Sequence, residues 1–529
     1  MSPSSKEQLS ILFPAPLPPP SHTPTRVFGI SSQSTDVLLK LLKENHEKFH
    51  IFFNARGMHN HLSHHLLAIY ALGATGKVIE AANGYTGGQQ LPAFESPISI
   101  TEENFFDHLG KGDNYNAYLK YFTQMLSQEK VDFGDILEKY IFSEKFNFDK
   151  TRKDAGKPQP EMLNRFLAGL LHPMIHAGYG VEFGLGGILA EGLAQTAVHR
   201  DEASVLVPAS FFNFEEQISA ISHITSALPK LDLQRSPGEG RSEASKYSGH
   251  LLSIVARILK DQRLNPAKLN LASGDLVVRF NAVLSQGGEI IREYVDQWDL
   301  HLSGDATSDA AILDTKVEEI FWAHVLMYGV GGWSEKVFLA DFVNMHLVTS
   351  AIFISNLVAT LKKSSSKTTL LKAYVALSLA WWVSRGRPGF AISKFYEATG
   401  GFNPDDAAHF DIPGPHPTPN EKTLKSGDSS SLSPNPWYNI LQTTLVHPNE
   451  HLCKLQRALA HADTLYGSRA AGRFAHLKVL SEFEANAGFE GIEKLDGSLF
   501  LRSARLTADR LGWMREGQEY HGWDFDGFA

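Results

Sequence analysis

Four histidines fall within seven residues of the segment HNHLSHHLLAIYALGA, His59–Ala74. Neutral imidazole serves as a general base and as a ligand for transition metals, and a ligand set needs several such nitrogens at one point. Asn60 is suited to cap a helix in which His61 and His65, four residues apart, share a face, with His64 a competing partner for His61. The side that carries His65 also carries Leu62, Leu66 and Ile69, which sets its imidazole among apolar residues. A second pair, His172 and His176, lies in LLHPMIHAGYGVEFG, Leu170–Gly184, where Glu182 is the charged residue. Pro173 disfavours helix at His172, which puts that residue at a helix start or kink and weakens the inference of a shared face. His346 supplies a fifth nitrogen, because Leu339, Phe342, Val343, Ser350 and Phe353 surround it at helical spacing and turn its ring inward. Each of these histidines also has a plainer explanation as a hydrogen-bonded core residue, and only convergence in space separates the two.

Lys372 stands just ahead of an apolar helix containing Trp381 and Trp382. A buried lysine loses its charge through desolvation, and the neutral amine can capture carbon dioxide as a carbamate, an oxygen ligand. The competing reading is a snorkelling lysine at a helix start, following Lys362, Lys363 and Lys367. Other chemistries are poorly supported. The glycines of GYGVEFGLGG have the wrong spacing for a dinucleotide fold, ALGATGK lacks the first P-loop glycine, and neither G-x-S-x-G nor HExxH occurs. His447-Pro-Asn-Glu450-His451 has the H-x-x-E-H spacing of an inverted zinc-peptidase motif, but Pro448 points to a helix start that leaves His447 outside it.

Helices are the elements expected to position these groups. Apolar residues recur at three and four spacing through His61–Leu72, Glu161–Leu171, His250–Lys260, Val337–Leu361, Thr368–Val383 and Glu450–Leu465, whereas alternating strand patterns are scarce. The expected fold is all-α: one large multi-helix domain over residues 26–529 with a buried histidine-lined site, behind a proline-rich flexible segment at 1–25. Pro229–Lys246 and the stretch 403–436 read as surface loops. The 49 basic and 58 acidic residues give a formal charge of -9 spread along 529 residues without a basic stripe, which argues against nucleic acid as a partner. A lone Cys453 excludes an internal disulfide and a thiolate cage, leaving the 23 histidines as the abundant ligands and fitting a reducing compartment. The N-terminal apolar stretch is broken by prolines, and His346–Leu361 carries polar residues, so neither a signal peptide nor a membrane span is expected, and a cytoplasmic location is.

HNHLSHHLLAIYALGA, HPMIHAGYGVEF, NMHLVTS, LLKAYVALSL followed by RGRP, and EHLCKLQRALAHADTLYG occur in an order that resembles the questin oxidase-like family, from about residue 25 onward. Members tailor aromatic polyketides in fungal secondary metabolism by opening anthraquinone rings or by Baeyer–Villiger-type steps. An iron-dependent member holds a non-haem iron with four histidines and a carboxylated lysine. The resemblance therefore implies an Fe(2+)-dependent oxygenase taking O2 and an anthraquinone-type polyketide. Its ligands are expected among His61, His65, His172, His176 and His346, with Lys372 as the carboxylated lysine and Glu182 orienting a ligand imidazole. The alternatives are a Baeyer–Villiger-type monooxygenase that uses NADPH as reductant or no cofactor, and a helical scaffold without enzymatic activity.

Overall fold

The computed structural model describes residues 5–54, 57–128, 130–212, 247–271, 275–400, 422, 424, 435–480, 488–515 and 518–528. Both expected surface loops, 229–246 and 403–436, lie outside these residues except at isolated positions of the second. The fold is all-α, as expected, and the described strands are one two-residue parallel pair, β1 (Phe390–Ala391) with β2 (Phe489–Glu490).

The helices that matter for the site are α1 (Ser5–Leu12), α2 (Ser32–Lys48), α3 (Leu62–Ala71), α4 (Gly76–Gly87), α5 (Tyr115–Leu126), α6 (Met162–Phe183) and α7 (Gly186–Val198). From the second half of the chain come α8 (Leu276–Val295), α9 (Ala306–Val325), α10 (Phe342–Ala351), α11 (Ser364–Ser384), α12 (Glu450–Tyr466) and α13 (Ser498–Leu511). Side-chain caps fix several starts: Ser31 and Ser34 form a capping box on α2, Asp341 accepts from Asn344 N at α10, and Asn449 accepts from His451 N at α12. Within the lead-in expected to be flexible, residues 5–12 are helical, and Phe13 is buried with its ring against Gly187.

The expected helix Val337–Leu361 begins only at Phe342 and breaks at Ile352–Phe353, so that α10 is short and is followed by Ile354–Thr360. Phe342–Thr360 is apolar enough to cross a bilayer, but 83% of its most apolar stretch is buried inside the protein, as a core helix requires.

Close approach of α6 and α7 sets the middle of the molecule. A Cβ on Gly180 would lie 2.5 Å from Leu189 N, and one on Gly192 would lie 2.6 Å from Ala177 N, so only glycine permits the two backbones to meet there. α3 packs on α2, α4 and α12, and α10 packs on α6, α9 and α12. Three histidine-bearing helices, α3, α6 and α10, together with α12 thus face one another in the interior.

Candidate metal centre

His61, His172, His346 and His451 converge from four chain segments, and each has its Nδ1 committed. His61 Nδ1 and His451 Nδ1 both lie 3.0 Å from Glu450 Oε1. His172 Nδ1 lies 2.5 Å from the carbonyl of Gly169, and His346 Nδ1 lies 2.7 Å from the carbonyl of Phe342. Carbonyl oxygens, and a carboxylate held ionised, only accept, so each Nδ1 must carry the proton and each Nε2 must present a lone pair. The consequence is visible in the geometry. His346 Nε2 and His451 Nε2 are buried with no hydrogen-bond partner, and His61 Nε2 stands 2.7 Å from His172 Nε2. Ligand-capable atoms of His172, His346 and His451 lie within 4.8 Å of one another. Two lone pairs at 2.7 Å repel unless a proton or a cation lies between them. Burial, reinforced by the nearby Lys454 charge, drives the His61 pKa down to about 3, and burial together with its charged neighbours holds His172 and His346 well below the ordinary value. Protons are therefore disfavoured, and the donor set fits a divalent transition-metal cation.

Local backbone makes this arrangement possible. Inside α6, Gly169, Leu170 and Leu171 take positive φ of 54°, 55° and 70°, a left-handed turn that non-glycine residues rarely adopt. That turn lies immediately before His172-Pro173 and brings the Gly169 carbonyl onto the His172 ring, the kink expected from Pro173. On α12, His451 and Lys454 are three residues apart and so share a face.

Lys454 is only 3% exposed and lies among the imidazoles, whose pKa values its charge lowers in turn. Burial pulls its own pKa down to about 8, with Glu450 opposing, so a substantial neutral amine fraction exists near physiological pH. Burial pushes the Glu450 carboxyl up, but His451 and His61 outweigh it and hold the group far below the usual carboxylate range.

Behind this centre lies a second polar layer. His64 Nε2 meets His176 Nδ1 at 3.1 Å, His176 Nε2 meets Glu191 Oε2 at 2.9 Å, and Glu191 Oε1 meets His46 Nδ1 at 2.8 Å. Glu191, on α7, reaches His176 because the α6–α7 backbones touch. To the side, His59 stacks on His172 with centroids 4.1 Å apart, and its Nε2 meets His199 Nε2 at 3.0 Å.

Of the residues expected as ligands, His61, His172 and His346 stand in the convergent group. His176 sits one layer back on Glu191. His65 turns away to hydrogen-bond Thr86 Oγ1 at 2.9 Å, because His61 is the N-cap of α3, not a residue within it, and the shared-face rule does not extend to it. Lys372 is removed from the centre: its side chain is 23% exposed and faces Asp296 of the α8 end at 3.8 Å. Glu182 touches no histidine of the centre and instead pairs with the buried Arg457, whose guanidinium lies over the Tyr179 ring that stacks on His64. The imidazole-orienting carboxylates are Glu450 and Glu191. The sequence marks His451 and Glu450 only within the discounted H-x-x-E-H spacing and does not mark Lys454, although the three-residue spacing of His451 and Lys454 among Leu452, Cys453 and Leu455 carries the signal. His447 does not complete an H-x-x-E-H site, since its Nδ1 accepts from Asn449 N and its Nε2 meets the Leu511 carbonyl.

A family model described as Questin oxidase-like matches residues 58–459, a span that contains all four convergent histidines, Glu450 and Lys454. Among curated proteins, the chain is 24% identical to Oxidoreductase AflY of Aspergillus parasiticus, covering 93% of this chain and 83% of that protein. It is 23% identical to Baeyer-Villiger oxidase ptaJ of Pestalotiopsis fici, over 92% and 90% of the two chains. Questin oxidase of Aspergillus terreus is 23% identical over 80% of each. With a family match over most of its length and relatives aligned nearly end to end, the chain belongs to the questin oxidase-like family.

Proposed function

We propose that the protein is an oxidoreductase of fungal secondary metabolism that uses a non-haem iron to oxygenate and cleave a ring of an anthraquinone-type aromatic polyketide. The observation that supports this most is the convergence of four Nε2 lone pairs, from His61, His172, His346 and His451, with no proton donors among them. Imidazole sites with open positions suit iron(II), which supplies activation of dioxygen when bound. The names of the relatives, questin oxidase and Baeyer-Villiger oxidase, support an aromatic polyketide as substrate.

In this reading the protein's own groups have separable tasks. Glu450 holds two ligand rings through their Nδ1 atoms, and the carbonyls of Gly169 and Phe342 hold the other two, fixing tautomer and orientation. Neutral Lys454 Nζ can add to carbon dioxide and shed a proton, forming a carbamate whose oxygen would offer the iron a fifth ligand, which puts the carboxylated lysine of this reading at position 454 and not at Lys372. Phe342, packed on His346 and His451, and Tyr179, stacked on His64 behind the centre, exclude water and keep the local dielectric low.

The relatives' Baeyer–Villiger names favour a second reading, insertion of one oxygen beside a quinone carbonyl with NADPH as reductant or with no cofactor. Metal dependence and NADPH stoichiometry separate the two. Oxygen uptake with questin is expected to depend on metal, and the ring-opened product to carry label from O2. Full activity in metal-stripped protein contradicts the iron reading, and a strict requirement for NADPH at one equivalent per turnover favours the second.

A further inference from the structure

Of the groups around the centre, Glu450 is the one with substantial exposure, its side chain being 23% accessible while those of His61 and His451 are 9% and 8%. A substrate that reaches the centre past Glu450 meets a particular set of aromatic rings. Segment 519–528 crosses this side as a strap, and it is firmly held. Asp524 N donates to the Ala340 carbonyl and Phe342 N to the Asp524 carbonyl, both at 2.9 Å. Arg510 clamps the Asp524 carboxylate at 2.6 Å, and Arg385, itself paired to Asp341 in the interior, donates to the Phe525 carbonyl at 2.6 Å. Trp523 Nε1 donates to Asn449 Oδ1 at 3.0 Å, tying the strap to the cap of α12.

The strap carries its rings to the centre. Trp523 stands edge-on to His451 at 6.5 Å, and Phe525 packs on Phe342 at 4.6 Å, which in turn contacts His346 at 4.5 Å and His451 at 5.0 Å. Phe525 is nonetheless 51% exposed, so much of its surface is open. At the same rim Tyr520, on the strap, stands edge-on to His447 with ring centroids 5.8 Å apart, Tyr85 of α4 lies within the electrostatic reach of Tyr520 and Glu450, and both tyrosines are about half exposed. A planar ligand with hydroxyl and carbonyl groups on its edge would cover the open Phe525 face and pair with the tyrosine hydroxyls.

We propose that the open face of Phe525, backed by Phe342 and the buried Trp523, forms the wall on which a flat hydroxylated polycyclic aromatic lies, and that the phenols of Tyr85 and Tyr520 read the oxygen substituents on its edge. This rests on the substrate class proposed above and assigns its binding residues. The wall positions the ring, and because the strap is pinned by main-chain and Arg510 contacts it does so without needing to move.

The test is equilibrium dialysis of questin, and of unsubstituted anthraquinone, against metal-replete protein in the absence of oxygen. Phe525→Ala, half-exposed and therefore tolerant of truncation, is expected to weaken both ligands about tenfold. Tyr520→Phe is expected to weaken questin about fivefold and leave unsubstituted anthraquinone unchanged, with metal content at the wild-type level in both variants. Wild-type protein that binds questin while both variants bind it equally well overturns the wall and leaves the substrate class standing. Wild-type protein that binds neither ligand overturns both.

Discussion

Lys454→Met is expected to lower the affinity for iron by at least about 100-fold and to abolish oxygen uptake, because it removes the carbamate-forming amine while keeping a side chain of similar length. Lys372→Ala, which trims a half-buried residue paired with Asp296, is expected to leave both properties within about twofold of wild type. The contrast matters because sequence context draws attention to Lys372 in its apolar helix, whereas burial marks Lys454. Carbamate formation needs the neutral amine. Burial lowers the Lys454 pKa to about 8, so the neutral fraction rises as pH rises through that value. Reconstitution of stripped protein with iron should therefore depend on bicarbonate and proceed faster above about pH 8 than near about pH 6. A carbamate carbon signal from labelled bicarbonate that is present in wild type, retained in Lys372→Ala and lost in Lys454→Met is the direct readout. Equal iron binding by wild type and Lys454→Met would remove the lysine from the centre.

Glu191→Ala is the substitution with the largest expected effect on stability. The carboxylate is 1% exposed and bonds His176 on α6 and His46 on α2, so its loss leaves two buried imidazole nitrogens unsatisfied. Breaking a buried pair in this way costs about 3–5 kcal/mol, whereas Glu191→Gln, which keeps one acceptor and offers a donor, costs about 1–2 kcal/mol. Burial pushes the Glu191 carboxyl up, but hydrogen bonds from His176 and His46 prevail and hold it below its ordinary value. A carboxyl depressed in the folded state stabilises the fold above its unfolded pKa of about 4.3, and that contribution disappears as pH falls through the lower folded value. The stability gap between wild type and Glu191→Gln, read from urea unfolding, is therefore expected to be constant near neutrality and to close in acid. A gap that widens as the pH drops would contradict the assignment of Glu191 as an ionised acceptor.

Much of this arrangement is legible from residue spacing, and the rest fails for identifiable reasons. The helical repeat marks α3, α6, α10, α11 and α12, and the inward face it assigns to His346 is the face that meets the centre. Spacing rules act within a helix, so they misjudge residues at its end: His61 lies one position before α3 and turns to the centre, while His65 within α3 points to Thr86. The i,i+4 pair His172 and His176 divides between two layers because the left-handed turn at Gly169–Leu171 re-aims the first of them, and no local rule foresees three consecutive positive φ values. His451 and Lys454 share a helix face with Leu455 and Ala458 but also with Glu450 and Arg457, so that face is less plainly inward than that of His346. The neighbouring His447 and Glu450 also suggest a different motif, and Lys372 offers a competing lysine in a more apolar helix. Which lysine is buried depends on how α12 and α11 are rotated against their neighbours, a tertiary fact that periodicity alone does not contain.

The most direct test of a metal-dependent oxygenase is elemental analysis of freshly purified protein never exposed to chelators, measured alongside His346→Ala. Close to one iron per chain is expected in wild type and almost none in the variant, since His346 brings one of the four converging lone pairs. Wild-type protein that is folded and oxidises questin while holding no iron would contradict the iron-dependent reading.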